Sequence, residues 1–387
     1  MVPTTPIGSL YIHVPFCAAK CHYCAFFSAK PKGDQVDRYV AALVRELELI
    51  APELELNTIF FGGGTPSLLT LSQWETLLSA MDRLGLMGAR EWTVECNPAT
   101  VSMDKARLLA DHGVNRISMG VQSLDEGLLD RLGRVHTRDM VFRSVDILRA
   151  AGFKNLNIDL MFAIPGQTQE MWERTLREAV ALQSEHLSSY EVIYEEDTAL
   201  YAQLEAGEFD VDEDLACAMY EDLVTIAGEF GFRQYEVANF ARDLPDAAAT
   251  EIPGYACRHN VNYWRGGEFH GLGPSAAGFT EGVRTKNWSN TQLYCEQLEK
   301  GQRAIESHDR ISPIARAGEI AGFGLRMNAG WPLELFKNKT GFDLRDHWEE
   351  VMQKLVAEEH AVLDPERFAL TAKGLRFADR AAAQFLH

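Results

Sequence analysis

Leu10-Tyr11-Ile12-His13-Val14-Pro15-Phe16-Cys17-Ala18-Ala19-Lys20-Cys21-His22-Tyr23-Cys24 is the stretch on which the reading of this chain turns. Residues 10–14 are a short β-branched and aromatic run of the kind that forms a buried strand. The cysteines follow at once, spaced C-x3-C-x2-C, three thiols within eight residues. Three thiolates on one tight loop can hold three irons of a [4Fe–4S] cluster and leave the fourth iron open for an outside ligand. Zinc would need a fourth ligand, for which His22 or His13 is at hand, but it usually takes a second distant pair of cysteines, and no second C-x-x-C exists here. Spacing alone therefore favours iron and sulfur.

Outward from that loop, short apolar runs alternate with helical-period segments as far as about Arg242, the pattern of βα units on a parallel sheet. Strands are expected at 10–14, 58–61, 92–95, 116–121, 157–162 and 187–193, with a further extended stretch at 234–240. Between them Val36, Tyr39, Val40, Leu43, Val44, Leu47 and Ile50 recur at three and four, as the buried stripe of a helix requires. Further helices are expected at 72–84, 104–112, 138–150, 169–182 and 213–230. Six units are too few for a closed eight-stranded barrel, so the expected fold class is α/β, a partial (βα)6 TIM-like barrel over residues 1–242. Residues 243–311, rich in glycine with Pro253 and Pro274, are expected to form a loop-rich connection. Residues 312–387 are expected to be a smaller α+β domain: periodicity at Ile314, Ile320, Phe323 and Leu325, helices at 344–359 and 371–385, and short strands at 361–363 and 368–370. That order is winged-helix-like. The segment is not notably basic, so a lid or docking role is expected rather than DNA binding.

The chain has 387 residues, 46% of them hydrophobic, with 7 Cys and a formal charge of −19. These values exclude disorder, collagen, coiled coil and a disulfide-stapled miniprotein. The negative charge argues against a nucleic-acid partner and against docking on anionic lipid through charge alone. No run of about 18 apolar residues marks a transmembrane helix, and residues 1–10 lack the features of a secretory leader. A cytoplasmic location is expected, where clustered thiols are ligands or catalytic groups rather than disulfides. Cys96, Cys217 and Cys295 are isolated and receive no role.

The remaining motifs fall at the carboxyl ends of successive strands: Gly62-Gly63-Gly64-Thr65-Pro66, Glu95-Cys96-Asn97-Pro98, Gly120-Val121-Gln122, and Asp159 ahead of Ala163-Ile164-Pro165-Gly166-Gln167-Thr168. In a parallel barrel that rim is where functional groups gather, so these residues should converge with the cysteine loop on one pocket. The glycines would let backbone approach a ligand closely.

With Tyr11 through Cys24, these motifs resemble the radical S-adenosylmethionine (SAM) enzymes, in particular the branch containing oxygen-independent coproporphyrinogen III oxidase and the HemW-type heme chaperones. The resemblance implies a radical-SAM barrel with Cys17, Cys21 and Cys24 as cluster ligands and SAM chelating the open iron. It further implies Tyr11 near the cluster, Gly63, Gly64 and Thr65 along the methionine moiety, and Glu95, Gln122, Arg134 and Asp159 as further ligands of SAM, or of the second SAM that the oxidase holds. Asp159 as a helix cap and Arg134 as half of a surface ion pair are the plainer alternatives. Two departures separate the chain from the oxidase: Phe26 stands where the oxidase has a fourth cysteine, and only 16 residues precede Cys17 where the oxidase has a long extension.

A second constellation, Cys257-Arg258-His259-Asn260-Val261-Asn262-Tyr263-Trp264, resembles the His-Asn-x-x-Tyr-Trp motif of the HemW-type chaperones. It implies heme binding, with His259 as axial ligand, Tyr263 and Trp264 facing the macrocycle, and Arg258 or Arg265 pairing with propionates. Cys257 and His270 are alternative iron ligands, and an ordered loop with His259 satisfied by hydrogen bonds is the plainer reading. The expected function is a heme chaperone on a radical-SAM scaffold, binding [4Fe–4S], SAM and heme and delivering heme to acceptor proteins. The alternative is an oxidase-like radical-SAM enzyme acting on a tetrapyrrole. No catalytic residue is assigned, and peripheral membrane contact and a homodimer are left open.

Overall fold

Six parallel strands stand where the apolar runs place them: β1 (Ile7–Val14), β2 (Leu54–Gly63), β3 (Glu91–Cys96), β4 (Arg116–Gln122), β5 (Leu156–Phe162) and β6 (His186–Glu191). The computed structural model describes residues 5–245, 248 and 250–386. Residues 1–4, in the stretch read for a leader, and 246, 247, 249 and 387, in the two later domain ranges, lie outside the described residues.

Strands such as β5, Leu-Asn-Ile-Asp-Leu-Met-Phe, are apolar almost throughout because both faces are covered. Helices α1 (Gln35–Ile50), α2 (Leu71–Arg83), α3 (Met103–Asp111), α4 (Glu126–Arg131), α5 (Arg138–Ala150), α6 (Gln169–Ala181), α7 (Ala199–Glu205) and α8 (Glu213–Glu229) alternate with them. All but α1 start at side-chain caps. Thr70 forms a reciprocal box with Gln73 at α2, and Ser102, Thr137, Thr168 and Asp212 each accept a first-turn N–H.

The full sheet has nine strands in the order β7-β8-β6-β5-β4-β3-β2-β1-β9. The stretch expected to be extended at 234–240 is the antiparallel pair β7 (Arg233–Glu236) and β8 (Asn239–Ala241), with β8 pairing along β6. The sheet curls on itself: residues from each of β1 to β6 line one cavity of about 200 Å3, which makes the architecture a partial (βα)6 barrel. Its core runs from Leu10 and Ile12 through Trp74, Trp92 and Trp172 to Phe240.

The stretch read as a loop-rich connection carries regular structure. It contains α9 (Arg258–Trp264), β9 (His270–Leu272) parallel to β1, the strands β10 (Ala277–Thr280) and β11 (Val283–Asn287), α10 (Thr291–Glu299) and β12 (Ile305–Arg310). Strands β10, β11 and β12 form a separate antiparallel sheet. A fully buried carboxylate ties this stretch to α1: Glu46 accepts from Gly273 N at 2.9 Å, Asn287 Nδ2 at 2.9 Å and Tyr294 Oη at 2.6 Å.

The C-terminal unit has its own core around Trp331, Phe336, Trp348 and Phe385. It comprises α11 (Pro313–Gly324), β13 (Trp331–Pro332), α12 (Leu333–Thr340), α13 (Leu344–His347), α14 (Glu349–Ala357), β14 (Ala361–Leu363), β15 (Arg367–Leu370), α15 (Ala372–Leu375) and α16 (Ala378–Ala383). The three short strands form one antiparallel sheet. The helix expected over 344–359 is broken at Trp348 (φ −128°, ψ 26°), whose ring turns into the core beside Phe336, and the one over 371–385 is broken at Phe377.

Candidate functional site

The cysteine loop leaves the end of β1 and is strapped to the glycine run at the end of β2. Gly64 N donates to Val14 O at 2.8 Å and Thr65 N to Phe16 O at 2.7 Å. A Cβ on Gly64 would lie 2.6 Å from both Val14 O and Phe16 O, and one on Gly63 would lie 2.4 Å from the His13 ring. The glycines are thus required by backbone packing against this loop itself. The sequence had suggested approach to a ligand; the nearer reason is the loop.

Around the three thiols the rim gathers most of the expected residues. Thr65 Oγ1 is 3.5 Å from Cys17 Sγ, and Arg134 Nη1 is 3.5 Å from Cys21 Sγ. Arg134 also donates to Gly120 O, and its Nε is buried without a partner. Arg134 is therefore not half of a surface ion pair. A Cβ on Gly120 would meet Gln122 Nε2 at 3.1 Å and Arg134 Nη2 at 3.3 Å, so both side chains flank the end of β4. Gln122 and Ala163, at the ends of β4 and β5, have positive φ of 66° and 55°, strain of a kind that collects at functional rims.

Deeper in, Glu95 accepts from Gly63 N at 3.2 Å, and burial, then the neighbouring Asp159, raise its pKa to about 8. Asp159 accepts from Asn157 Nδ2 at 2.7 Å and Ser118 Oγ at 3.2 Å; it caps no helix, and burial raises its pKa. Tyr11, Glu95 and Asp159 line the cavity together with Arg116, a buried guanidinium that reading the sequence did not single out. Its position inside β4, as the lone charge in an apolar run, was the available signal.

The His259 motif reaches the same cavity from below: His259, Asn260 and Tyr263 line it together with Tyr11, Glu95 and Asp159. It forms α9, which enters the barrel at the amino-terminal end of the strands, opposite the cysteine loop. His259 is 1% exposed; its Nδ1 meets Thr58 Oγ1 at 2.8 Å, its Nε2 meets Tyr263 Oη at 2.7 Å, and its ring stacks on Phe60. Burial, reinforced by Arg116, lowers its pKa to about 3. Both ring nitrogens thus meet hydroxyl groups in the ligand-free chain. Tyr263 packs edge-on to His259 and Phe269, and Trp264 packs beside Tyr235. Tyr263 also lines the barrel cavity. Arg265 is spent on Gly330 O at 2.6 Å and lies over Trp331, while Cys257 is fully buried with a pKa pushed up to about 12. His270 is buried on β9 with Nε2 2.9 Å from Glu53 Oε2.

The donors at the rim fit an iron–sulfur cluster: three free, partly exposed thiols on one loop, a hydroxyl and a guanidinium at their sulfurs, and an unpartnered buried Nε beside them. Among the described residues no three His, Cys, Asp or Glu side chains gather tightly enough for a single metal ion. Thiols bound to separate irons need no such gathering.

This curled sheet with a three-thiol rim defines a radical SAM scaffold. Residues 11–179 match the radical SAM superfamily and residues 311–377 match the HemN C-terminal domain. The chain is 34% identical to the heme chaperone HemW of Lactococcus lactis subsp. lactis over 381 residues, covering 98% of this chain and 97% of that one. It is 36% identical to the heme chaperone HemW of Escherichia coli over 321 residues, 80% and 81% of the two chains. Among solved structures, coproporphyrinogen III oxidase (HemN) from Escherichia coli superposes with a TM-score of 0.83 at 20% identity, over 98% of this chain and 90% of that one, a likeness of fold. The chain belongs to the HemW family of the radical SAM superfamily. Membership of that superfamily implies a [4Fe–4S] cluster and SAM as cofactors. Among the described residues no helix is long and apolar enough to cross a membrane.

Proposed function

We propose that this chain is a heme chaperone on its radical-SAM scaffold: it binds a [4Fe–4S] cluster, SAM and heme, and hands heme to an acceptor protein. The observation that carries this reading is the two-way coverage of the HemW relatives, 98% of this chain against 97% of the Lactococcus protein, which spans barrel, connecting stretch and C-terminal unit alike. Cys17, Cys21 and Cys24 would hold the cluster. Gly63, Gly64 and Thr65 would border SAM, with Tyr11, Glu95, Gln122, Arg134 and Asp159 around it. When bound, the cluster supplies a one-electron reductant beside the SAM sulfonium.

The chain's own residues prepare that site. Arg134 places its positive charge beside Cys21 Sγ. Thr65 offers a hydroxyl to Cys17. Glu95 offers a buried carboxyl whose proton is easily displaced by an arriving ammonium group. His259 pins the α9 plug through Thr58 and Tyr263 and faces the barrel cavity. Phe26 removes the fourth thiol of the oxidase pattern and leaves an apolar side chain at the mouth.

The test is an anaerobic hemin titration of the cluster-reconstituted chain, followed at the Soret band. Saturable binding at one hemin per chain is expected. No saturable binding, together with anaerobic conversion of coproporphyrinogen to protoporphyrinogen, would replace the chaperone by an oxidase-like enzyme.

A further inference from the structure

We infer that Arg116 receives the carboxylate of a bound ligand inside the barrel cavity, against the floor formed by α9. The inference rests on the chaperone reading above and deepens it, since that carboxylate belongs either to a heme propionate or to the amino-acid end of SAM. Its basis is a buried charge without an acceptor. Arg116, at the start of β4, is 2% exposed and lines the cavity, and its Nε is buried without a partner. Its guanidinium forms no hydrogen bond or ion pair among the described residues. The neighbouring acids are already committed. Glu91 accepts from Arg258 N at 2.9 Å and His259 N at 3.0 Å, and Asp159 accepts from Asn157 Nδ2 at 2.7 Å and Ser118 Oγ at 3.2 Å. A guanidinium taken out of water is costly unless a hydrogen-bonding anion meets it. A buried fork that faces a cavity with no acceptor therefore marks the place of an anion that arrives.

The cavity wall selects the anion. Among the described residues that line it, Arg116 is the only Lys or Arg, and it shares the wall with the carboxyls of Glu95 and Asp159. One positive charge balances a monoanion, whereas a phosphate dianion would leave negative charge uncompensated beside two carboxyls. The planar fork of a guanidinium also matches the two oxygens of a carboxylate. Asn260 of α9 lines the same wall with a side-chain amide that forms no hydrogen bond among the described residues, a second donor for the same group. The volume of about 200 Å3 is below the roughly 300–1,000 Å3 that encloses a whole drug-sized ligand. The space therefore admits a carboxylate arm, with the body of the ligand outside it.

The experiment measures binding to the cluster-reconstituted full chain with two pairs of probes: hemin against hemin dimethyl ester, and SAM against decarboxylated SAM. Within each pair only the carboxylate groups differ. Wild type, Arg116→Met and Arg116→Lys are compared, with iron and acid-labile sulfide per chain as the check that the scaffold is intact. In one pair Arg116→Met should cut the wild-type preference for the carboxylate form by about tenfold or more. Arg116→Lys, which keeps the charge and loses the fork, should retain part of that preference. A loss in the hemin pair identifies a propionate, and a loss in the SAM pair identifies the amino-acid carboxylate. Preferences in both pairs that are the same in Arg116→Met as in wild type would overturn the inference and leave the chaperone reading standing. If Arg116→Met does not hold its cluster, Arg116→Lys carries the comparison, and preferences unchanged there would overturn the inference equally. A wild-type chain that binds SAM but no hemin would remove the chaperone reading, and the SAM pair alone would then decide the role of Arg116.

Discussion

Glu95 shows how one buried carboxyl is set up to respond to a ligand. With its pKa at about 8, it is mostly neutral at pH 7, because burial and Asp159 both disfavour its charge. An ammonium group placed beside it favours the carboxylate, so SAM binding at pH 7 should release about one proton from this site. The sign of the Glu95 contribution is fixed: it weakens affinity as pH drops below about 8. Titration calorimetry in two buffers of different ionisation enthalpy reads the release directly. Because SAM titrates too, the comparison is with Glu95→Gln, which should lose that part of the buffer dependence. Identical buffer dependence in both proteins would mean that the SAM ammonium does not reach Glu95.

At the scale of the element, α9 explains both what the sequence disclosed and what it hid. The parallel strands and α1, α2, α3, α5, α6 and α8 were legible because their signals are local: apolar runs and three-and-four spacing, with a side-chain cap at every start but that of α1; the short α4 and α7 were not read. The three thiols were legible for the same reason. Helix α9 was not, because Cys257 at its N-cap gives the helix no side-chain capping bond and the cap comes from a distant strand. Glu91, at the start of β3, accepts from Arg258 N at 2.9 Å and from His259 N at 3.0 Å. No local pattern encodes a cap supplied from 167 residues away. The partners of His259 were hidden on the same account: Thr58 and Tyr263, which meet its nitrogens, are brought to it only by the fold. His22 was noticed as a spare zinc donor, whereas the Arg131 carbonyl that orients it becomes visible only in three dimensions. Removing the remote cap should loosen the plug. Glu91→Ala leaves two helix-start N–H groups and the buried Arg116 less well compensated, and should cost about 2–4 kcal/mol in denaturant unfolding. Glu91→Gln, which keeps an acceptor, should cost about 1 kcal/mol. If Glu91→Ala unfolds at the wild-type midpoint, the plug is held by something else.

For the whole molecule, α9 is also the joint between two separately packed cores. The barrel core and the C-terminal core meet along a polar seam: Val237 N donates to Arg326 O at 3.1 Å, Asn328 N donates to Tyr235 O at 3.1 Å, and Arg326 Nη2 lies 3.6 Å from the fully buried Glu236. Directly after α9, Arg265 reaches over Trp331 of the C-terminal unit, and Gly266 turns the chain at φ +66°. A Cβ at Gly266 would lie 2.4 Å from Ile320 Cγ1, inside contact distance of α11. Gly266→Ala therefore attacks the joint and neither core. Left-handed backbone strain costs about 1–2 kcal/mol for a non-glycine residue, and the overlap with Ile320 adds to it unless the units move apart. The relief open to the molecule is separation, since each unit keeps its own apolar cluster. Scanning calorimetry should resolve the unfolding of Gly266→Ala into two transitions, the C-terminal one first, where wild type shows one. A single transition at the wild-type temperature would mean that the seam does not depend on this glycine, and that α9 transmits nothing from the barrel floor to the C-terminal unit through it.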